Sequence, residues 1–133
     1  MGKVLFVVFM LTAFVLVACG GGGAEPVATL VSVPPEFSGK TNPLGPDAAT
    51  AGADVFKTNC ATCHGDTGHG DGPAGAALDP APKNLAEFQT QAGDDYLFWR
   101  ITTGKEGTSM VPWKGVLTDE QIWQVVSFIR TLK

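Results

Sequence analysis

Basic residues are scarce in this chain. Of 133 residues only 9 are Lys or Arg, against 13 Asp or Glu, a formal charge of −4. A nucleic-acid partner requires a basic patch that neutralises phosphates, so that class is excluded. Cysteine is also rare, with 3 residues, too few for a disulfide framework, and histidine is rarer still, with 2. No apolar run reaches the roughly 20 residues that a helix needs to cross a bilayer. The longest, Val4 to Ala18, holds 15 residues and is interrupted only by Thr12. No stretch alternates apolar and polar residues as a half-buried strand does, so the expected fold is all-α. There is no internal repeat, and the length suits one domain.

The N-terminus follows an export pattern. Lys3 precedes the apolar run, and the run ends at Ala18 and Cys19, after which Gly20 to Gly23 change the composition abruptly. A basic start, an apolar stretch and a small exit residue describe a secretory signal over residues 1–18, with a short uncleaved anchor as the alternative. Leu16-Val17-Ala18-Cys19 resembles the lipobox of bacterial lipoproteins. That resemblance implies a diacylglyceryl group on Cys19, and two acyl chains give stable attachment where one does not. The other reading of Cys19 is a free or buried thiol, but the adjoining glycines offer no core. Either way the rest of the chain is expected outside the cytoplasm, on the outer (periplasmic) face of the cytoplasmic membrane. Removing residues 1–18 takes away Lys3 and no acid, leaving 8 basic and 13 acidic residues, a formal −5. Residues 19–46 are rich in Gly and Pro and lack periodicity, which reads as a flexible tether before a domain at 47–133.

Within that domain, Asp47 is placed to cap a helix over about 48–60, with Gly52, Val55 and Phe56 on one face. Residues 65–82 carry the Gly, Asp and Pro chemistry of loops. A short helix is expected near Leu85 to Gln89, and another from Gly93 or Asp94, burying Leu97, Phe98 and Ile101 and ending at Gly104. Thr118-Asp119-Glu120-Gln121 is a capping box for a last helix, whose Ile122, Val125, Val126, Ile129 and Leu132 recur at helical spacing beside Phe128.

Cys60-Ala61-Thr62-Cys63-His64 carries the chemistry. Two thiols one helical turn apart can add to the two vinyl groups of a porphyrin, and the adjoining His64 then lies under the iron; Cys-x-x-Cys-His is the haem c attachment signature. A structural zinc site wants four ligands, and only Cys60, Cys63, His64 and His69 lie close together. A thioredoxin-like pair wants a preceding strand, and a plain disulfide leaves His64 without a role. One motif implies one covalent haem. A second axial ligand is needed opposite His64. Met1 and Met10 fall in the export segment, leaving Met110 in the proline-stiffened stretch Thr108-Ser109-Met110-Val111-Pro112-Trp113. His69, only five residues past His64, would have to wrap round the ring edge, so it reads as an exposed loop residue. A ring-covering set of Val55, Phe56, Leu78, Leu85, Leu97, Phe98, Ile101, Trp113 and Val125 is expected, with an exposed edge near Gly72 to Ala77.

Residues 47–133 resemble a class I cytochrome c. The resemblance rests on the helix ending in Cys60-Ala61-Thr62-Cys63-His64-Gly65, then Gly68-His69-Gly70-Asp71-Gly72-Pro73 and Leu78-Asp79-Pro80-Ala81-Pro82, a methionine loop and a capped terminal helix. It implies three to five helices around one haem, with the first and last helices crossing at right angles. The matching contact positions are Gly52 and Phe56 against Val125 and Phe128. It also implies that a proline carbonyl, of Pro80 or Pro82, accepts the His64 Nδ1–H bond. The implied function is single-electron transfer without a catalytic site or small-molecule substrate, because His64 and Met110 fill both axial positions. The methionine thioether favours the ferrous state and a raised potential. Partners would be a quinol-oxidising complex and an oxidase or reaction centre of a respiratory or photosynthetic chain. The alternative is a fixed subunit of a larger assembly such as alternative complex III or a terminal oxidase.

Overall fold

The computed structural model describes residues 30–133. The expected export signal over residues 1–18 and the lipid attachment at Cys19 lie outside the described residues. Five helices follow in order: α1 (Ala48–Asn59), α2 (Ala61–His64), α3 (Leu85–Phe88), α4 (Asp94–Thr103) and α5 (Asp119–Ile129), with a 3-10 turn at Gly75–Ala77. Among the described residues there is no strand, only an isolated bridge between Lys114 and Leu117. The all-α expectation holds.

Helix α1 starts differently from its expected cap. Asp47 has helical dihedrals, φ −63° and ψ −22°, and accepts no capping bond, whereas a side-chain cap requires extended backbone there. A backbone turn replaces it, with Ala48 N–H donating to the Gly45 carbonyl at 3.1 Å. Helix α5 starts as its sequence dictates: Thr118 Oγ1 accepts from the Gln121 N–H at 3.2 Å, and Gln121 Oε1 accepts from the Thr118 N–H at 2.9 Å. Helix α3 is capped by Asn84, whose Oδ1 accepts from the Ala86 and Glu87 N–H groups at 3.0 and 3.3 Å.

The core forms where α1 meets α5, and Phe56, Ile122, Val125 and Val126 are its fully buried members. Gly52 makes the close approach possible. A Cβ there would collide with the Gln124 backbone carbonyl and lie 3.1 Å from Phe128 Cβ. The Phe56 and Phe128 rings then meet at 5.0 Å. Helix α5 also buries a second face: Trp123 stacks on Phe98 of α4, ring centroids 4.1 Å apart and 18° from parallel. Its end is tied to the start of α4 by Arg130, which pairs with Asp94 Oδ1 at 2.7 Å and donates to the Ala92 and Gln89 carbonyls. Leu132 falls past the helix and packs at Gly68 instead.

The tether expectation fails over its described part. Residues 30–46 are seated on the domain, with Leu30, Val33, Phe37 and Leu44 packed against the core. The Gly39 and Asn42 N–H groups donate to Asp95 and Asp94 at 2.9 and 3.1 Å. Asn42 Nδ2 donates to the Trp123 carbonyl at 3.1 Å and Ser127 Oγ at 2.9 Å, and Phe37 meets Phe98 at 6.3 Å. The physical reason is the second face of α5: Trp123 and Phe98 need cover, and an irregular strap supplies it without helical periodicity.

Candidate haem site

The attachment motif continues α1 after a bend at Cys60, whose φ is −118°. The Cys60 carbonyl accepts from both the Cys63 and His64 N–H groups, at 3.1 and 2.9 Å, so the two thiols and the imidazole sit on a single turn. Both sulfurs are free and half-buried. Burial pushes the Cys60 thiol up to about 12, with the nearby Cys63 adding to the rise. Cys60 is therefore a protonated thiol at neutral pH. Burial also lowers the His64 imidazole below its ordinary value, only partly offset by its bond to a backbone carbonyl, so the ring is neutral and can coordinate metal.

That carbonyl belongs to neither proline. His64 Nδ1 faces the Lys83 carbonyl at 3.3 Å. The Pro82 carbonyl points elsewhere, against Gly70, where a Cβ would come within 2.5 Å of it. The loop is fixed there by the Leu85 N–H donating to the Gly68 carbonyl at 2.6 Å. The next carbonyl along, that of Lys83, turns to the imidazole. With Nδ1 held, Nε2 makes no hydrogen bond among the described residues and is the nitrogen left for iron. His69 is exposed, and its Nδ1 meets Thr67 Oγ1 at 2.8 Å within its own loop.

In the stretch 72–77, where the sequence places an exposed haem edge, Gly72 and Gly75 are buried. A Cβ on Gly72 would lie 2.5 Å from the Ala61 and Thr62 carbonyls, and one on Gly75 2.5 Å from that of Cys63. These glycines let the loop pack onto the back of the motif. Only Pro73, Ala76 and Ala77 of this stretch are exposed.

Met110 reaches the core from a separate element. Gly104 ends α4 at φ +70° and ψ −164°, and a Cβ there would lie 2.5 Å from the Met110 carbonyl. The loop folds back on α4: Trp113 N–H donates to the Ile101 carbonyl and Lys114 N–H to that of Thr102, both at 3.1 Å. Met110, Trp113, Leu117, Val55 and Cys60 all pack half-buried against one core cluster. No hydrogen bond joins the Met110 loop to the motif among the described residues.

The donor set fits covalent haem c: two free thiols on one turn, an imidazole with one nitrogen held and the other open, and a thioether on a pinned loop beside apolar side chains. Among the described residues no three His, Cys, Asp or Glu side chains converge as an alternative metal site. Lys83 and Asn84 escaped the sequence reading. The first acts through its backbone, which no side-chain pattern announces. The second had a signal, because Glu87 stands three residues after Asn84.

Comparison with known proteins gives the same assignment. Residues 47–129 match the family model described as cytochrome C oxidase, cbb3-type, subunit III. The chain is 34% identical over 97 residues to the cbb3-type cytochrome c oxidase subunit FixPc of Rhizobium leguminosarum bv. viciae, covering 71% of this chain and 31% of the relative. It is 33% identical over 106 residues to cytochrome c6 of Thermosynechococcus vestitus, covering 80% and 83%. The chain thus spans about a third of the length of the FixP-type relatives. Among solved structures, cytochrome CL of Methylophaga aminisulfidivorans MPT superposes with TM-score 0.51 at 27% identity, covering 64% of this chain and 55% of that one. A chain of the Kuenenia stuttgartiensis reducing HAO-like protein complex superposes with TM-score 0.59 at 25% identity, covering 68% and 47%.

Proposed function

Because the chain belongs to the cytochrome c family matched over residues 47–129, whose members carry covalent haem c and transfer electrons, we propose that it is a mono-haem single-electron carrier with His64 and Met110 as axial ligands. The observation that carries this reading is the His64 ring, held at Nδ1 by the Lys83 carbonyl. Such a bond fixes the orientation of a ligating imidazole and strengthens it as a donor. Haem c supplies reversible one-electron chemistry at iron when bound. Cys60 and Cys63 would hold it covalently, and Met110 would supply a soft thioether that favours the reduced state. The buried Leu97 and Ile101 belong to the core cluster against which Cys60 and Met110 pack. With His64 and Met110 both holding the iron, the chain would leave no position there for a substrate.

The carrier would act on the outer face of the cytoplasmic membrane, held by a lipidated Cys19 and exchanging electrons with a quinol-oxidising complex and an oxidase or reaction centre. Support comes from the export pattern and lipobox-like Leu16-Val17-Ala18-Cys19. A second reading, a fixed haem subunit of an oxidase or comparable complex, is favoured by the names of the FixP relatives, which are oxidase subunits.

The ligand assignment is tested in the holo-protein by Met110→Ala. The long-wavelength thioether-to-iron band should vanish and the midpoint potential should fall, within the roughly 0.8 V that axial ligation spans. An unchanged spectrum and potential would remove Met110 from the iron. Native electrophoresis of detergent-solubilised membranes separates the two roles: migration as a monomer supports the carrier, and comigration with large membrane proteins supports the subunit.

A further inference from the structure

Residues 33–44 precede the family-matched region, yet they are built into this fold. Asn42 uses its N–H and its whole side-chain amide: its N–H to Asp94, its amide N–H groups to the Trp123 carbonyl and Ser127 Oγ, and its Oδ1 as acceptor from the Leu44 N–H at 3.0 Å. Phe37 and Leu44 add apolar cover, and Gly39 a bond to Asp95. The seat lies on the N-terminal half of α4 and on α5. The C-terminal end of α4 is left to the Met110 loop, so strap and ligand loop do not compete.

We propose that this strap limits the reach of the haem site. Seated, it makes the lead from the membrane attachment end at Leu30 rather than at Asp47. A chain spans at most about 3.6 Å per residue, so the 11 steps from Cys19 to Leu30 allow about 40 Å, where the 28 steps to Asp47 would allow about 100 Å. The site therefore serves partners embedded in, or bound close against, the same membrane, and not acceptors far from its surface. The inference rests on the reading of Cys19 as a lipid attachment point.

The test uses the full-length holo-protein on liposomes that carry a headgroup fluorophore, which haem quenches steeply with distance. The double variant Phe37→Ala, Asn42→Ala releases the strap, and an unchanged haem spectrum and helical circular dichroism show that α1 to α5 persist. The backbone amides at positions 39 and 42, bonded to Asp95 and Asp94, should resist hydrogen exchange in the parent and exchange freely in the variant. Quenching should fall at least about two-fold in the variant, because the permitted lead more than doubles. Equal quenching with lost protection overturns the reach limit, and rapid exchange of both amides in the parent overturns the strap itself. Mass spectrometry of the mature N-terminus reports separately on Cys19. A chain found free of the membrane and without lipid removes the anchoring reading and the reach limit with it, while the exchange result still stands for the strap.

Discussion

Gly104 sits where no other residue fits. Its φ of +70° with ψ of −164° belongs to a region open essentially to glycine alone, and the Met110 carbonyl and Pro112 nitrogen leave no room for a Cβ. Gly104→Ala should cost about 1–3 kcal/mol, read by urea unfolding, and should weaken the thioether-to-iron band more than haem attachment itself. Cys60 allows a second expectation, for the haem-free chain. With its thiol near 12 rather than 9.0, deprotonation lags as pH rises, and at pH 8 the thiolate fraction drops about a thousand-fold. Because alkylating agents attack the thiolate, Cys60 should be labelled far more slowly than a peptide cysteine at pH 8, as mass spectrometry of the digest would show. At this scale the sequence nominates residues where chemistry resides in side chains: Cys60, Cys63, His64 and Met110 are singled out by spacing and elimination. The His64 acceptor was not legible, because every residue has a carbonyl and only the loop's path decides which one turns inward.

Helices were read well where they carry punctuation. The capping box at Thr118 and the stop at Gly104 stand where the sequence put them. Helix α1 runs over 48–59 but without its expected aspartate cap. Two packing contacts exceeded what a single stripe could tell. Gly52 lets α1 rest on the α5 backbone, so Gly52→Ala should destabilise by about 1–3 kcal/mol through overpacking, measured by thermal unfolding. Arg130 joins α5 to α4 through Asp94 and two carbonyls, with side chains about 30% exposed. Arg130→Met should cost about 1–2 kcal/mol, mostly by leaving those acceptors without a donor, with a modest electrostatic part. The Trp123 face was missed because a helix buried on two sides defeats a one-stripe template.

For the molecule as a whole, the misread part was its beginning. Composition made residues 30–46 look like a linker, since Pro and Gly dominate and no period runs through them. What fixes them is a few long-range bonds to Asp94, Asp95, Trp123 and Ser127, and such contacts leave no local trace. A chain beginning at Asp47 should keep its haem spectrum but lose on the order of 2–4 kcal/mol, from uncovering Phe98 and Trp123 and losing the burial of Val33, Phe37 and Leu44. A thermal melt would read the loss, and Trp123 emission should shift to the red. The same architecture governs how the molecule is made. Helix α1 finds its main partner in α5, and the strap also closes on α5, the last of the five described helices. Synthesis delivers the chain from its N-terminus, so neither contact can form until residues 119–129 have emerged. Cys60 and Cys63 therefore pass through an interval in which the motif is present and the core around it is not, when both thiols are more open than in the finished fold, where they are half-buried.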